Sequence, residues 1–274
     1  MSDFFANTRP GREVTHGGAT FELPILYHRD DCFAAMFACD AREARASLPS
    51  DQLHPVTLPG GKAIAIVAAF HYIDTSIGPY GEVGVVIPVV HGRKAPTLLP
   101  ALLEARWPGF GVTVLHLPVT RTVARDAGRG QWGYTKFVAD MAFEHHPERL
   151  AVRLHDGDTP ILRLVVPRCG VILPDRNPLV TYSVRDGDLI RTTIPQRGTV
   201  RNALRPRGAS LELGQHPLAD TLRRLRVGPR PFLTRYYVER AGILPAGEVV
   251  ERGVRPLEGW RGEDREGAHT VVYR

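Results

Sequence analysis

The chain has 274 residues, of which 43% are hydrophobic and 23% charged, a composition that excludes a wholly disordered protein and fits a soluble globular one. The formal net charge of +6 permits anionic partners, such as nucleic acid or small carboxylates, without requiring them. Three cysteines without a C-x-x-C pair argue against a disulfide framework and a thiolate zinc site, and they favour a reducing cytoplasm.

Membrane attachment is not expected. The longest apolar run, residues 63–70, is far shorter than the ~20 residues that a membrane span needs. The first 16 residues are charged and lack an apolar core, so we expect no secretory signal and a cytoplasmic location.

The predicted helices are few and short. Residues 40–48 begin with an aspartate that can cap a helix, are rich in alanine and stop at a proline. Residues 120–127 and 216–226 predict two more helices, each followed by a glycine. Three short helices cannot supply the core of a chain of this length, so most of the core must come from strands.

Most of the remaining chain has the pattern of strands. Two Asp-Gly-Asp turns, at residues 156–158 and 186–188, lie between apolar runs and predict hairpins. The predicted strands cover residues 62–73, 82–90, 150–155, 160–166, 180–185, 189–194, 210–213 and 232–239.

These elements predict one β-rich α+β domain over residues 1–250, built as a barrel or strongly curved sheet with short peripheral helices. Residues 251–274 are rich in Arg, Gly and Glu and are expected to form a loose tail.

Several patterns have a simpler explanation than a binding site. Gly128, Gly130 and Gly133 match G-x-G-x-x-G, but a helix rather than a strand precedes them, so we expect no nucleotide. Arginines are dense in residues 191–207 and 223–240, yet no nucleic-acid module accompanies them. A solvated face or an oligomer contact explains these arginines better than nucleic acid does.

The segment 144–148 (EHHPE) raises the question of a metal site. Adjacent histidines in a strand point to opposite faces, and no H-E-x-x-H is present. We therefore expect a solvated turn there and no metal.

Lysine is scarce: of 35 basic residues only Lys62, Lys94 and Lys136 are lysines. Lys136 lies beside Trp132, Tyr134 and Phe137 in the sequence. If its side chain shares their apolar surroundings, the neutral amine is favoured and becomes a nucleophile. Alternatively its stem covers apolar surface while the amine reaches water.

Glu82 opens a very apolar predicted strand and is the only charged residue between Ser76 and Val90. A buried carboxylate there would need a partner. If Glu82 instead lies at the solvent-exposed end of the strand, its carboxylate needs no partner. Both interpretations are equally open.

At these two segments the sequence resembles the acetoacetate decarboxylase superfamily. In that family a turn ending in Tyr-x-Glu opens a buried strand, as in 80–82 here, and a motif A-G-R-E-x-W-G-F-P-K carries the reactive lysine. Residues 127–136 (AGRGQWGYTK) are similar at seven of these ten positions, counting one aromatic exchange. The likeness extends loosely from about residue 30 to 239.

This resemblance implies a closed β-barrel with a pocket inside and short helices outside. It also implies a lyase that needs no cofactor and acts on a small or medium oxo-acid by decarboxylation or aldol and dehydration steps. Acetoacetate decarboxylase is the standard example of a lysine activated by desolvation or a neighbouring cation. The site residues that the resemblance implies are Lys136 as the Schiff-base amine, Glu82 as the pocket carboxylate, Arg129 to hold a substrate carboxylate or brace the loop, and Tyr80, Trp132 and Tyr134 as pocket walls. We expect a homo-oligomer.

Three positions depart from the family pattern. Phe137 replaces a second lysine, and Thr135 replaces a proline. Ala38 occupies the position at which family members carry the arginine of a Tyr-Arg-x-Asp segment. Loss of the adjacent cation puts acetoacetate itself in doubt as the substrate. It also leaves open a non-catalytic ligand-binding barrel in which Lys136 stays protonated.

Overall fold

Strands dominate the computed structural model, which describes residues 4–9, 11–94, 96–262 and 270–273. The α-helices are α1 (Ala41–Ala46), α2 (Leu99–Leu103), α3 (Thr122–Ala127) and α4 (Pro217–Arg224). The strands are β1 (Arg12–His16), β2 (Ala19–Leu23), β3 (Ile25–Cys39), β4 (Leu53–Pro55), β5 (Ala63–Thr75), β6 (Tyr80–His91), β7 (Phe110–His116), β8 (Asp140–His146), β9 (Arg149–Asp156), β10 (Thr159–Pro167), β11 (Val171–Asp175), β12 (Leu179–Arg185), β13 (Asp188–Ile194), β14 (Gln196–Leu204), β15 (Ser210–Leu213), β16 (Leu233–Leu244), β17 (Glu248–Arg252) and β18 (Thr270–Tyr273).

The larger sheet of the described chain has eleven strands, in the order β11-β14-β16-β3-β5-β6-β7-β12-β13-β17, with β4 paired to β6. The prediction of a strand-rich fold with few helices is confirmed. The closed barrel is not observed, because the edge strands β11 and β17 do not pair with each other among these residues. Closure would require hydrogen bonds along both edges. Pro174 in β11 lacks a backbone donor, as is typical of an edge strand.

A smaller sheet, ordered β15-β10-β9-β8-β18, covers one face of the larger one. Buried side chains from both sheets meet in one apolar cluster, including Phe33 and Phe37 of β3 and Phe143, Val152 and Leu164 of the smaller sheet. Alternate residues of β3 and β5 point away from this cluster, because successive strand side chains face opposite sides. The second face of the larger sheet is therefore free to surround a cavity.

Both predicted hairpins are present. Asp156 pairs with Thr159 and Arg185 with Asp188 across the Asp-Gly-Asp turns. The predicted helices correspond to α1, α3 and α4 within a few residues. At α1 the side chain of Asp40 accepts hydrogen bonds from the backbone N–H groups of the first turn, as its position before the alanines predicts.

The segment from residue 251 on is not loose where it is described. Leu257 is buried, and Arg255 Nη2 donates to the carbonyl of Leu48 over 2.9 Å. Strand β18 pairs in parallel with β8. The composition misleads here because a few apolar side chains suffice to anchor the segment; residues 263–269 and 274 lie outside the described ones. That residues 1–250 form a single domain stays a prediction. No helix in the described part of the chain is long and apolar enough to cross a bilayer.

Candidate active site

Lys136 lies in an extended segment between a π-helical turn, Gly128–Trp132, and β8. The backbone around it is fixed on two sides. Its N–H donates to the carbonyl of Tyr134 over 2.8 Å, and its own carbonyl accepts from Arg129 Nε over 2.7 Å. The residue is 5% exposed, so its side chain does not reach bulk water.

The glycines of the G-x-G-x-x-G string allow this close packing. A Cβ at Gly128 would lie 2.4 Å from Lys136 Cε, and one at Gly130 would lie 2.2 Å from the ring of His16. Gly133 has a φ of +70°, and a Cβ there would lie 2.2 Å from the carbonyl oxygen of Val184. The string therefore allows this loop to pack closely against the lysine, His16 and the backbone of Val184, where a larger side chain would collide.

Glu82 is buried beside the lysine rather than at a wet end of β6. Its Oε2 accepts a hydrogen bond from Lys136 Nζ over 2.5 Å, and its Oε1 accepts one from Tyr72 OH over 3.1 Å. The two residues are 54 positions apart in sequence and meet only through the fold. A buried ammonium and carboxylate in contact satisfy each other, and a proton can pass between them without crossing solvent.

Aromatic rings surround the amine. The Lys136 Nζ lies 5.9 Å from the ring centroid of Tyr80 and 6.0 Å from that of Tyr134. Burial, together with the nearby charge of Glu82, raises the pKa of Tyr72 and of Tyr80 well above the usual value. Burial also raises the pKa of Tyr134 to about 12. These phenols therefore stay protonated at neutral pH and can act as hydrogen-bond donors.

A cavity of about 200 Å³ opens beside Lys136 and Glu82 on the second face of the larger sheet. Tyr134 also lines it. Tyr80, Trp132 and Arg129 do not: Tyr80 OH bonds Tyr27 OH, and Trp132 Nε1 donates to the carbonyl of Pro245. These two rings support the wall from behind. Arg129 donates to the backbone carbonyls of Lys136 and Arg261 and so holds the loop in place.

Most of the cavity wall is apolar. Side chains from β3, β5, β6, β7, β12, β13 and β16 contribute, which shows how far the larger sheet curves around this space. The main apolar contributors are Met36, Ile66, Phe70, Val86, Phe110, Val112, Val114, Leu117, Leu179, Ile194 and Leu244.

A second polar cluster lines the same cavity and was not predicted from the sequence. Arg240 is 6% exposed; its Nη1 donates to Asp30 over 2.6 Å and its Nε to Gln196 over 3.1 Å. Burial works against the charge of Arg240, but Asp30 outweighs it and raises the pKa of the guanidinium. Arg235, also in the wall, donates to Glu104 over 2.8 Å.

The expectation of a solvated or intersubunit arginine face is therefore wrong for Arg240. Arg240 directly follows the predicted strand 232–239 and precedes small and apolar residues, a setting that by itself does not single out one arginine. Nothing in the sequence indicated that Asp30, 210 positions earlier, would be its partner.

The three departures from the family pattern occupy different places. Phe137 is fully buried in the apolar cluster between the sheets and does not line the cavity, because neighbouring residues of an extended chain face opposite sides. Ala38 is exposed and away from the cavity. Thr135 is buried, and its hydroxyl donates to the carbonyl of Leu115 over 2.7 Å. Phe137 thus supplies neither a charge nor a wall to the lysine's cavity.

Comparison with known proteins identifies the family of this chain. The family model for acetoacetate decarboxylase matches residues 13–254. The chain belongs to the acetoacetate decarboxylase family. Among curated proteins, none matches the sequence significantly.

Solved structures of the same fold are distant in sequence. The acetoacetate decarboxylase from Legionella pneumophila subsp. pneumophila str. Philadelphia 1 has a TM-score of 0.64 and 19% identity, covering 91% of this chain and 95% of that one. The enduracididine biosynthesis enzyme MppR, complexed with pyruvate, has a TM-score of 0.60 and 12% identity, covering 84% and 91%. An acetoacetate decarboxylase-like enzyme from Sphingomonas wittichii RW1 has a TM-score of 0.57 and 14% identity, covering 84% and 93%. Membership of this family supports an enzyme of the lyase type.

Proposed function

We propose that the protein is a Schiff-base lyase that acts on a small or medium oxo-acid through Lys136. The observation that carries the proposal is the buried contact of 2.5 Å between Lys136 Nζ and Glu82 Oε2 in the wall of a largely apolar cavity. An amine that attacks a ketone must first lose a proton, and Glu82 is placed to accept it.

The reaction begins when Lys136 Nζ adds to the substrate ketone carbon. Glu82 takes the proton that the amine gives up, and it can return this proton to the carbinolamine oxygen, which leaves as water. The resulting iminium withdraws electrons from the α-carbon. When the bond from that carbon to a carboxylate breaks, its electron pair moves into the iminium, giving an enamine and carbon dioxide. Protonation at carbon and hydrolysis then release product and free the lysine.

The same iminium also permits aldol or dehydration chemistry, because each begins with a carbanion-like enamine. The iminium itself is the electron sink, so the proposed chemistry uses no further cofactor. The pyruvate complex of the similar enzyme MppR supports an oxo-acid as the substrate class.

The cavity limits the size of the substrate and offers a partner for its carboxylate. A cavity of about 150 Å³ holds a benzene molecule, so about 200 Å³ holds an oxo-acid with an apolar substituent of ring size or a short alkyl chain. We assign the substrate carboxylate to Arg240. Its Nη2 donates to no residue of the described chain and can donate a charge-assisted hydrogen bond to a substrate carboxylate.

Assembly into a homo-oligomer remains part of the proposal. Val171, Ile172 and Leu173 of the edge strand β11 are 67%, 50% and 49% exposed. An exposed apolar edge of this kind is a surface that another chain can cover.

Borohydride trapping with a panel of oxo-acids tests the proposed function. If an iminium forms, reduction adds the mass of the oxo-acid less one oxygen; if carbon dioxide leaves first, the gain is smaller by its mass. We expect an adduct with oxo-acids that carry apolar substituents. Oxo-acids that bind by calorimetry but give no adduct would contradict the proposal and favour the ligand-binding alternative.

A further inference from the structure

Two histidines and one aspartate converge on the face of the larger sheet that lies opposite the Lys136 cavity. Asp31 of β3 and His71 of β5 are direct cross-strand partners. His145 reaches them from β8 of the smaller sheet. The cavity is lined instead by the alternate neighbours Cys32, Phe70 and Tyr72, so the two places are separated by the thickness of the sheet.

The three side chains are close enough to share one ion. One ligand atom of each lies within 4.8 Å of the others. Asp31 Oδ2 is 3.4 Å from His145 Nδ1 and 3.8 Å from His71 Nδ1. Ligands about 2.0–2.1 Å from a tetrahedral zinc ion are themselves separated by about 3.4 Å. Small side-chain rotations therefore bring the set to bonding distance.

The surroundings also suit a metal. His71 Nδ1 is buried and has no hydrogen-bond partner among the described residues. This nitrogen is therefore available as a ligand. Phe143 packs against both imidazole rings, at centroid distances of 5.2 Å and 6.5 Å. The side chain of Asp31 is 34% exposed, so water can supply a further ligand.

The chemical type of the three ligands also suits a transition metal. Two imidazoles and one carboxylate with an open position form a donor set that zinc enzymes use.

We propose that Asp31, His71 and His145 bind one divalent transition-metal ion, with Zn²⁺ as the representative ion. The expected solvated turn is present at residues 147–148, which are exposed. His145 precedes this turn in β8 and is only 12% exposed, while His146 on the opposite face is exposed. The ion would join the smaller sheet to β3 and β5. The proposal does not depend on the chemistry of Lys136.

The test uses the full chain without an affinity tag, freed of metal by a chelator. Zn²⁺ binding is measured by calorimetry and by the shift of Tm, and Co²⁺ binding by its visible absorption, which reports the number of ligands. The variants are His145→Ala, the nearly isosteric Asp31→Asn and the matched control His146→Ala.

We expect one Zn²⁺ per wild-type chain and a rise in Tm on binding. Both site variants should bind at least about 100-fold more weakly and lose the Tm shift, whereas His146→Ala should behave as wild type. The absence of binding to wild type, or equal affinity in Asp31→Asn, would overturn the proposal. Because adduct formation at Lys136 is measured separately, failure here leaves the proposed lyase function intact.

Discussion

Replacing Gly128 by alanine tests whether the position of the Lys136 amine controls the chemistry. Gly128 has φ −65° and ψ −43°, values that alanine adopts without strain. The new methyl group would lie 2.4 Å from Lys136 Cε and 2.5 Å from Cδ. Carbon atoms prefer about 3.5 Å or more, so the reactive end of the lysine must move by about 1 Å.

A displacement of about 1 Å costs up to about 100-fold in rate when it misplaces a reacting group. Stability should change little, because the displaced atoms belong to the flexible end of a side chain. Alanine also restricts the unfolded chain and so favours folding by about 0.5–1 kcal/mol. We therefore expect Gly128→Ala to form the borohydride-reduced adduct about 100-fold more slowly, with a Tm within a few degrees of wild type.

The assay is the time course of adduct mass with an oxo-acid that modifies wild type. Gly228→Ala is the matched control, since Gly228 is exposed and a Cβ there meets no atom within 4 Å. A wild-type rate in Gly128→Ala would refute the argument that this glycine fixes the amine.

Two further predictions concern single hydrogen bonds and pH. Tyr72→Phe removes the 3.1 Å hydrogen bond to Glu82. It should slow adduct formation by about tenfold or more, because a hydrogen bond to a charged group is worth about 1.5–3 kcal/mol. An unchanged rate would contradict a role for this hydrogen bond. Burial lowers the pKa of His116 from 6.5 to about 4. Below pH 6.5 the unfolded chain therefore binds more protons than the folded one, so the free energy of unfolding falls as pH falls. Between pH 7 and pH 5, wild type should lose about 2 kcal/mol more than His116→Gln does, measured by urea unfolding at both pH values. The exposed His146→Gln should lose as much as wild type, and equal losses in wild type and His116→Gln would show that His116 does not carry this dependence.

Local patterns were sufficient for the regular parts of the fold. The Ile and Val runs of β5 and β6 are bounded by glycine and proline, and the Asp-Gly-Asp turns leave little choice of register for the hairpins. Strand β3 was not recognised because Arg29, Asp30 and Asp31 interrupt its apolar pattern. The structure gives two of these charges partners on other strands, and such partners cannot be inferred from a single sequence.

The residues of the candidate site also differ in how well the sequence predicts them. Lys136 and Glu82 stood out because each is the rare charged residue of an apolar segment, and the fold brings them together. Tyr72 and Arg240 did not stand out, since a tyrosine or an arginine in a strand is common in this chain. Their positions depend on the curvature of the larger sheet, which places strands distant in sequence around one cavity.

The scarcity of lysine permits the most direct test of the central claim. Lys62 and Lys94 are exposed, so a Lys62→Arg/Lys94→Arg chain should fold normally and retain Lys136 as its single lysine. Arginine cannot form an iminium, and in Lys136→Arg it keeps the positive charge beside Glu82.

The measurement is borohydride trapping with one oxo-acid, read by intact mass and by tryptic mapping of residues 130–149, which stay in one peptide when Lys136 is modified. We predict one adduct per chain in wild type and in the double variant, and none in Lys136→Arg at a comparable Tm. An adduct of equal yield in Lys136→Arg would show that another group is the nucleophile and would contradict the proposed mechanism.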